Sequence, residues 1–417
     1  MSTPNIRFKG FSNAWEQRKL GDCLSEITYG FTNPMSDTED GPWKLTAKDI
    51  VNGKIDYSSA RHTSQIEYES LTDKSKPLIG DLLLTKDGTL GRTAIVDTEN
   101  ICINQSVALL RFNEKCSAQY AKTLLDTPMY QKQMLDDAGG GTIKHIYITK
   151  VDKMFIPVPS MREQEQLVCF FDNLDNLITL HQRKCDETKI LKKYMLTKMF
   201  PKNGEDRPEI RFEGFSDAWE QRKLGDIIDK FTGGASIAPD DYVEEGYRTI
   251  PKGAVNDTGV ADMSGCKCVS EAFYQKNISS KTSAGELVTS LRDLVPTAPN
   301  MGRIVRIYGD SEDFLMPQGV YSIVLKKNSD EDFLIAYSNS PDYRRIITTE
   351  KNGSTQVHIR NGEFLNIDIP VPCYEEQKKI GATIRNLDNL ITLHQHKCDE
   401  LKEIKKYMLQ NMFPSTN

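Results

Sequence analysis

The sequence predicts an α+β fold in which one half of about 205 residues occurs twice, each half being a strand-rich body followed by a long helix. Three observations predict it. Two segments recur almost unchanged at an offset of just over 200 residues, and the bodies between them share almost nothing. Each half closes on a helical stretch with apolar residues at heptad spacing. Because the period is far too long for a solenoid unit, the repeat is a duplicated domain.

The repeated segments open and close each half. Residues 6–22 (IRFKGFSNAWEQRKLGD) and 210–226 (IRFEGFSDAWEQRKLGD) are identical at 15 of 17 positions. Residues 174–201 and 387–414 both begin LDNLITLHQ and are identical at 22 of 28 positions. If the two halves had diverged uniformly, their differences would be spread along the whole of each half. We therefore infer a shared scaffold that carries two separately specialised bodies.

The bodies are predicted to be strand-rich, because short apolar runs bounded by glycine and turn residues occur in both. A helix is expected over residues 119–136, interrupted near Pro128. The predicted strands lie at 81–85, 92–96 and 106–110 in the first body and at 285–290, 302–307 and 320–325 in the second.

A long helix is predicted after each IPVP tetrapeptide, at 156–159 and 369–372. Residues 161–200 contain no glycine or proline, and roughly 40 helical residues would span about 60 Å. Alternating spacings of three and four residues form a heptad seam, from Phe171 to Met199 in one helix and from Ile384 to Met412 in the other. The simplest geometry is an antiparallel coiled coil between the two helices.

Composition and charge restrict the function classes. No run of about 18 apolar residues predicts a membrane span, and residues 1–8 lack the apolar core of a secretory signal. Nine dispersed cysteines without a CxxC pair favour reduced thiols and a cytoplasmic location. The formal net charge of -6 arises in residues 201–366, with 20 basic and 26 acidic residues. Bulk charge therefore offers nucleic acid little attraction, and local basic patches would have to supply it.

No complete active site is evident. The common phosphate-, dinucleotide- and zinc-binding motifs and the serine-nucleophile motif are all missing from the sequence. Two arrangements raise the question of a metal, the lone Cys266/Cys268 pair and two His/Cys pairs at i,i+4 spacing on the helices. Packed cysteines and hydrogen-bonded histidines are the commoner outcome on a helix seam. We therefore expect no catalytic residue, metal or cofactor in this chain. The His/Cys pairs are His181/Cys185 and His394/Cys398.

Polar and basic residues recur on glycine-rich turns at the predicted strand ends. Arg and Lys can pair with guanine edges, Asn and Gln with adenine, and Ser and Thr with phosphates. Ordinary solvated loops remain the alternative, although the loop at 139–145 recurs at 352–358. The candidate DNA-binding residues of the first body are Lys86, Thr89, Arg92, Asn104, Gln105, Thr142, Lys144 and His145. Those of the second body are Ser290, Arg292, Arg303, Gln318, Ser354, Thr355, Gln356, His358 and Arg360.

Taken together, these features resemble the specificity subunit of type I restriction-modification enzymes. The matching motifs are WEQRKLGD, GDLLLTKDGTLGR, NQSVALLRF, the Glu-Gln pairs after each IPVP and the LDNLITLHQ helices. The resemblance covers both halves and rests on the order and duplication of short motifs. The opening segment resembles staphylococcal members in particular. The second body departs in one respect, because its stretch from Gly285 to Arg303 is longer than that from Gly80 to Arg92.

The resemblance implies a domain organisation. Residues 1–155 and 205–368 would be target recognition domains, each reading one half of a split DNA sequence. Residues 156–204 and 369–417 would be conserved spacer helices that set the half-site separation. Two different readers in one chain agree with a bipartite, asymmetric target.

The resemblance also implies partners. These are double-stranded DNA, two methyltransferase (modification) subunits on the helices, and restriction/translocase subunits, with no membrane. S-adenosylmethionine, ATP and Mg are expected in the partner subunits and none of them in this chain. The complex would be an adenine-specific DNA methyltransferase and ATP-dependent endonuclease. Because the target base must leave the stack, we expect the bodies to help hold distorted DNA.

Two other functions remain as alternatives. A protein-binding adaptor built on the long helix pair is favoured slightly by the acidic balance. A stand-alone methyltransferase lacks support, because no cofactor motif was found. Binding to duplex DNA discriminates, since a reader with its partners shows sequence preference and steep salt dependence.

Overall fold

The computed structural model describes residues 3–139, 144–202, 204–309, 312–353 and 356–414. Contacts divide the chain into two compact units. Residues 1–180 with 397–417 form the first unit, and residues 181–396 form the second. Each unit combines one strand-rich body with part of each long helix, so the α+β fold and the internal duplication predicted from the sequence are confirmed.

The first half contains eleven strands and five α-helices among its described residues. They are β1 (Glu16–Lys19), β2 (Leu24–Tyr29), β3 (Thr38–Leu45), β4 (Ile50–Val51), β5 (Lys54–Ile55), β6 (Arg61–His62), α1 (Gln65–Ser70), β7 (Leu82–Thr85), β8 (Thr93–Ile95), β9 (Ile101–Ile103), β10 (Val107–Phe112), α2 (Ala118–Leu125), α3 (Pro128–Asp136), α4 (Ile148–Val151), β11 (Phe155–Val158) and α5 (Met161–Lys198).

The second half follows the same plan, with additional short strands. Its elements are β12 (Glu220–Lys223), α6 (Leu224–Ile227), β13 (Ile228–Gly233), β14 (Tyr242–Val243), β15 (Tyr247–Arg248), β16 (Cys268–Val269), α7 (Glu271–Lys276), β17 (Lys281–Ser283), β18 (Leu287–Ser290), β19 (Arg292–Asp293), β20 (Ile304–Arg306), β21 (Asp313–Leu315), β22 (Val320–Leu325), α8 (Glu331–Ser338), α9 (Pro341–Glu350), β23 (Val357–His358), α10 (Asn361–Leu365), β24 (Asp368–Val371) and α11 (Tyr374–Asn411).

A four-stranded antiparallel sheet organises each body. Its order is β2-β10-β7-β8 in the first unit and β13-β22-β18-β20 in the second. Leu82 and Leu84 face a core that includes Trp15, whereas Leu83 faces a separate core that includes β9. Side chains alternate between the faces of a strand, so a strand buried on both faces is apolar throughout. This double burial explains why the predicted runs are continuous.

In each half, the repeated segment that opens the half pairs with the strand that precedes the long helix. The repeated segment that opens each half, residues 6–22 and 210–226, is called the cap. The EQRK segment of the first cap forms β1, which runs antiparallel to β11 with Glu16 opposite Val158. In the second unit β12 and β24 repeat this pairing, with Glu220 opposite Val371. Each cap is thereby tied to the strand that leads into its long helix.

The Glu-Gln pair that follows each IPVP clamps the cap. Glu163 accepts two hydrogen bonds from Arg7, at 2.7 and 2.8 Å, and Glu376 accepts the same two bonds from Arg211. The neighbouring Gln164 accepts from the amide of Ser117 at 2.9 Å. Both glutamates are buried. A bidentate pair in a buried site is strongly directional, so these residues fix where the cap docks.

The long helices run antiparallel within each unit. In the first unit Lys405 Nζ lies 2.6 Å from Asp175 Oδ1, and in the second Lys192 Nζ lies 2.5 Å from Asp388 Oδ1. Cys185 donates to the carbonyl of Ile391. The predicted seam is therefore the contact surface. Its buried members are Phe171, Leu174, Cys185, Met199, Ile384, Leu387, Cys398, Leu401 and Met412.

One strand position differs between the two central sheets in a way that predicts a stability change. Thr289 occupies the position in β18 that Leu84 occupies in β7, and its buried hydroxyl has no hydrogen-bond partner among the residues that the structure describes. An unpaired buried hydroxyl is costly. Thr289→Val should therefore raise the free energy of unfolding of the second unit by about 1 kcal/mol, measured by denaturant titration.

A second buried threonine of the same unit serves as the control. The hydroxyl of Thr282 donates to Glu286 at 2.8 Å, so Thr282→Val removes a bond and should destabilise the unit. Equal losses in the two variants would contradict the assignment of Thr289 as an unsatisfied group.

Candidate nucleic-acid interface

In the first unit, the turn after β7 meets the residues that follow the glycine-rich segment. Asp87 and His145 form a β-bridge, and the amide of Ile146 donates to the carbonyl of Lys86 at 2.9 Å. The Asp87 carboxylate accepts from Lys86 Nζ at 2.6 Å and from His145 Nδ1 at 2.5 Å. Burial opposes ionisation, but these two hydrogen bonds outweigh it and lower the pKa of Asp87. One carboxylate thus positions both predicted donors.

Three other predicted residues of this unit hold the turns themselves. Thr89 Oγ1 donates to the carbonyl of Ala47, and Arg92 Nη1 donates to that of Ile50. The side-chain oxygen of Asn104 accepts from the hydroxyl and the amide two residues later. These contacts shape the surface but occupy part of each side chain's hydrogen-bonding capacity.

Gln105 and Lys144 are exposed, and neither side chain has a partner in the part of the chain that the structure describes. Tyr29, at the end of β2, joins this surface: it is 46% exposed and its ring centroid lies 5.4 Å from Lys86 Nζ. Tyr29 was not among the residues predicted from the sequence, where its position just before Gly30 is the only signal that marks it.

In the second unit, polar side chains from distant segments line a cleft of about 590 Å³. Pairing of β19 with β23 sets Arg292 opposite His358. Ser290 Oγ donates to the carbonyl of Arg292 at 2.9 Å. The predicted residues that line this cleft are Ser290, Arg292, Gln318, Gln356 and His358.

The cleft offers uncommitted donors and acceptors beside an apolar surface. Arg292, Gln318 and Gln356 are exposed, and their side chains have no partner among the described residues. Buried Met301 and Val320 supply apolar lining. Such a set could hydrogen-bond base edges or phosphates.

The polar residues Ser236, Lys252 and Asn300 also line this cleft and were not among the predicted residues. The local signals for the last two are Gly253, which follows Lys252, and Gly302, which begins a predicted strand two residues after Asn300.

Two predicted arginines of the second body lie away from the cleft lining. Arg303 donates to the carbonyl of Pro299 at 2.9 Å and to Asn339, and burial lowers the pKa of Arg303. Arg360 lines a separate cleft and its guanidinium lies 3.7 Å from Glu363. The structure therefore does not bring these two together with Arg292.

The residues that flank the recurring glycine-rich loops pair in the same way in both units. Gly139 bridges His145 in the first unit, and Asn352 bridges His358 at the same position in the second. The predicted residues Thr142, Ser354 and Thr355 lie outside the described residues.

The His/Cys pairs lie on the helix seam. His181 and His394 contact each other through Nδ1 atoms 3.1 Å apart, and both seam cysteines are buried. Cys266 donates to the carbonyl of Met263. Within the described ranges, no group of three or more His, Cys, Asp or Glu side chains could hold a metal ion.

Apolar side chains remain exposed on both long helices. Leu177 and Leu180 in the first unit are each 43% exposed, and the duplicate positions Leu390 and Leu393 in the second unit are 44% and 60% exposed. Repetition of the same exposed leucines in both copies distinguishes them from scattered surface residues.

Comparison with known proteins decides the family. The model of the type I restriction modification DNA specificity domain matches residues 14–189 and again residues 216–403. This chain belongs to that family. The two matches coincide with the two halves of the duplication, so each half is one specificity domain.

Two relatives align with nearly the whole of this chain. The chain is 22% identical to the Type I restriction enzyme MjaVIII specificity subunit of Methanocaldococcus jannaschii, over 95% of this chain and 91% of the relative. It is 23% identical to the putative MjaX specificity subunit of the same organism, over 95% and 92%.

Two solved structures share the fold of the specificity family. The S subunit of a type I restriction-modification system from M. genitalium superposes with a TM-score of 0.59 at 16% identity, covering 100% of both chains. A chain from a structure concerned with complex assembly and conformational transition of the type I R-M system gives 0.52 at 18% identity, covering 96% of this chain and 98% of the other.

Among the described residues of the chain, no helix combines the length and apolarity needed to cross a bilayer.

Proposed function

We propose that this chain is the non-catalytic DNA-reading subunit of a type I restriction-modification complex and that each unit reads one half of a bipartite, asymmetric target. One observation carries the proposal: the specificity domain matches twice, while the two units present different polar sets at corresponding strand ends. The first offers Lys86, His145 and Lys144, and the second offers the cleft around Arg292. Different side chains at equivalent places are what two different half-sites require.

The partners follow from the same proposal. Two methyltransferase subunits would dock on the helices, where the exposed leucines recur in both copies, and restriction/translocase subunits would join them. S-adenosylmethionine, ATP and Mg would be held by those partners. The nine free cysteines favour a cytoplasmic complex.

Single substitutions should alter one half-site at a time. Lys144→Ala should weaken methylation through the first half-site only, and Arg292→Ala through the second only. A lost bidentate contact of an arginine or a lysine costs about 1–3 kcal/mol, so recognition should fall by about 5-fold to about 140-fold. The measurement is methylome sequencing of a host that carries the partner subunits.

Lys276→Ala is the matched control, because Lys276 is exposed on α7 and does not line the cleft. If all three variants methylate the same motif at the same level as the wild type, these residues do not read DNA.

The adaptor alternative draws support from the exposed leucines on the helices. It predicts assembly with partner proteins but no sequence preference on DNA. Titration of the assembled complex with duplexes at several salt concentrations separates the two, since a DNA reader loses affinity steeply as salt rises.

A further inference from the structure

A loop at the rim of the second unit's cleft presents an apolar tip. Leu294 is 71% exposed and the adjacent Val295 is 46% exposed. Leu294 lines the same cleft as Arg292 and Asp293. Isolated exposed apolar residues are ordinary, but here two consecutive ones project beside the uncommitted polar groups of a candidate binding site.

Three cationic side chains hold the loop behind this tip. Arg303, Arg344 and Lys351 donate to backbone carbonyls of the loop, and these bonds hold its conformation without a ligand. Burial, and then the positive charge of Arg303, lower the pKa of Arg344 to about 10, so Arg344 stays protonated near neutral pH. The contacts are Arg344 to Met301, Ala298 and Pro299, Arg303 to Pro299, and Lys351 to Pro296.

The backbone of the loop is also strained. Ala298 has a φ of +47°, in the left-handed region that costs a residue with a Cβ about 1–2 kcal/mol. Its carbonyl is one of those bound by Arg344, at 3.1 Å. A strained residue persists only when its surroundings enforce it, and such residues concentrate at functional sites.

The tip belongs to the specialised part of the second body. The stretch from Gly285 to Arg303 exceeds that from Gly80 to Arg92 by six residues. The added residues fall between β18 and β20, where the first unit has only the short turn between β7 and β8. The shared scaffold therefore does not require the tip.

The chemistry around the tip favours nucleic acid over protein as its occupant. Arg292, Lys252 and Gln318 line the cleft and offer hydrogen-bond donors without side-chain partners among the described residues. Proteins that unstack a base step combine hydrogen-bond donors to the DNA backbone and base edges with an apolar side chain that inserts between the bases. Pyrimidine–purine steps unstack most easily.

We propose that Leu294 and Val295 form a preformed apolar wedge that enters the second half-site and unstacks one base step there. This rests on the proposed function, that the second unit reads duplex DNA. The class of ligand is a duplex with a deformable step beside the bases that Arg292 contacts.

The test uses the full chain assembled with its methyltransferase subunits. The target motif comes from the methylome, and duplexes carry 2-aminopurine in place of successive purines of the second half-site. For the wild type, the fluorescence should rise at one step. With Leu294→Ala the rise should disappear and affinity should fall about tenfold, while the slope of affinity against salt stays unchanged, since no phosphate contact is lost.

Ile278→Ala is the control, because Ile278 is 42% exposed in the same unit and does not line the cleft. If the wild type shows sequence preference but no rise in 2-aminopurine fluorescence, the wedge proposal is wrong and the proposed DNA-reading function stands. Unstacking that survives in the double variant Leu294→Ala/Val295→Ala also overturns it, as does loss of methyltransferase association in place of DNA affinity. Absence of any sequence preference in the wild type overturns the proposed function, and the wedge with it.

Discussion

Glu376→Ala should lower the free energy of unfolding of the second unit by about 3–5 kcal/mol. Glu376 is fully buried and binds Arg211 through both carboxylate oxygens, at 2.7 and 2.8 Å. The Arg211 side chain is only 15% exposed. Removal of Glu376 would leave its guanidinium without an ionic partner. Denaturant titration of the full chain, with hydrogen exchange resolving the two units, measures the loss.

The neighbouring glutamate supplies the control. Glu375 pairs with Lys378 on the surface and is 68% exposed, so Glu375→Ala should cost at most about 1 kcal/mol. Replacing both Arg211 and Glu376 with methionine should recover much of the loss, because no charge then remains unpaired. Equal effects of the two alanine variants would show that the buried pair does not fix the cap.

Phe413→Ala should destabilise the first unit by about 3–5 kcal/mol, the usual cost of truncating a buried phenylalanine. Phe413 is 5% exposed, and its ring centroid lies 5.8 Å from that of Phe171 and about 6 Å from those of Trp15 and Tyr120. Hydrogen exchange should accelerate in the first unit and not in the second.

Two comparisons make this result interpretable. Tyr407→Ala changes an aromatic residue of α11, the helix that ends just before Phe413; Tyr407 is 56% exposed, and its loss should cost little. Phe200→Ala, at the equivalent place in the second unit against Trp219 and Phe333, should shift the loss to that unit. Protection lost equally in both units after Phe413→Ala would contradict the assignment.

The helices were the most predictable elements. Residues 161–200 and the interruption near Pro128 follow from local features, and the structure places α5 at Met161–Lys198 and α3 from Pro128. Strands buried on both faces were predictable for the same reason. The short strands such as β14 to β16 were missed, because two or three residues are too few to show a period.

Five of the residues at glycine-rich strand ends line the cleft of the second unit, and their role in binding DNA stays a prediction. The same criterion also selected Arg303, whose guanidinium donates to the side chain of Asn339, 36 positions along the chain. Whether an arginine faces solvent or a carbonyl depends on segments distant in sequence, which no local pattern records.

The sequence by itself determined the duplication, the two long helices and their seam, and the contrast between constant scaffold and divergent bodies. Repetition and periodicity along the chain express all of these. Only the tertiary structure decided that the EQRK strand pairs with the strand before each helix, that Glu163 and Glu376 clamp the caps, and that Phe413 completes the first unit's core. These contacts join residues from 136 to about 400 positions apart, and their geometry follows from packing rather than from any local preference.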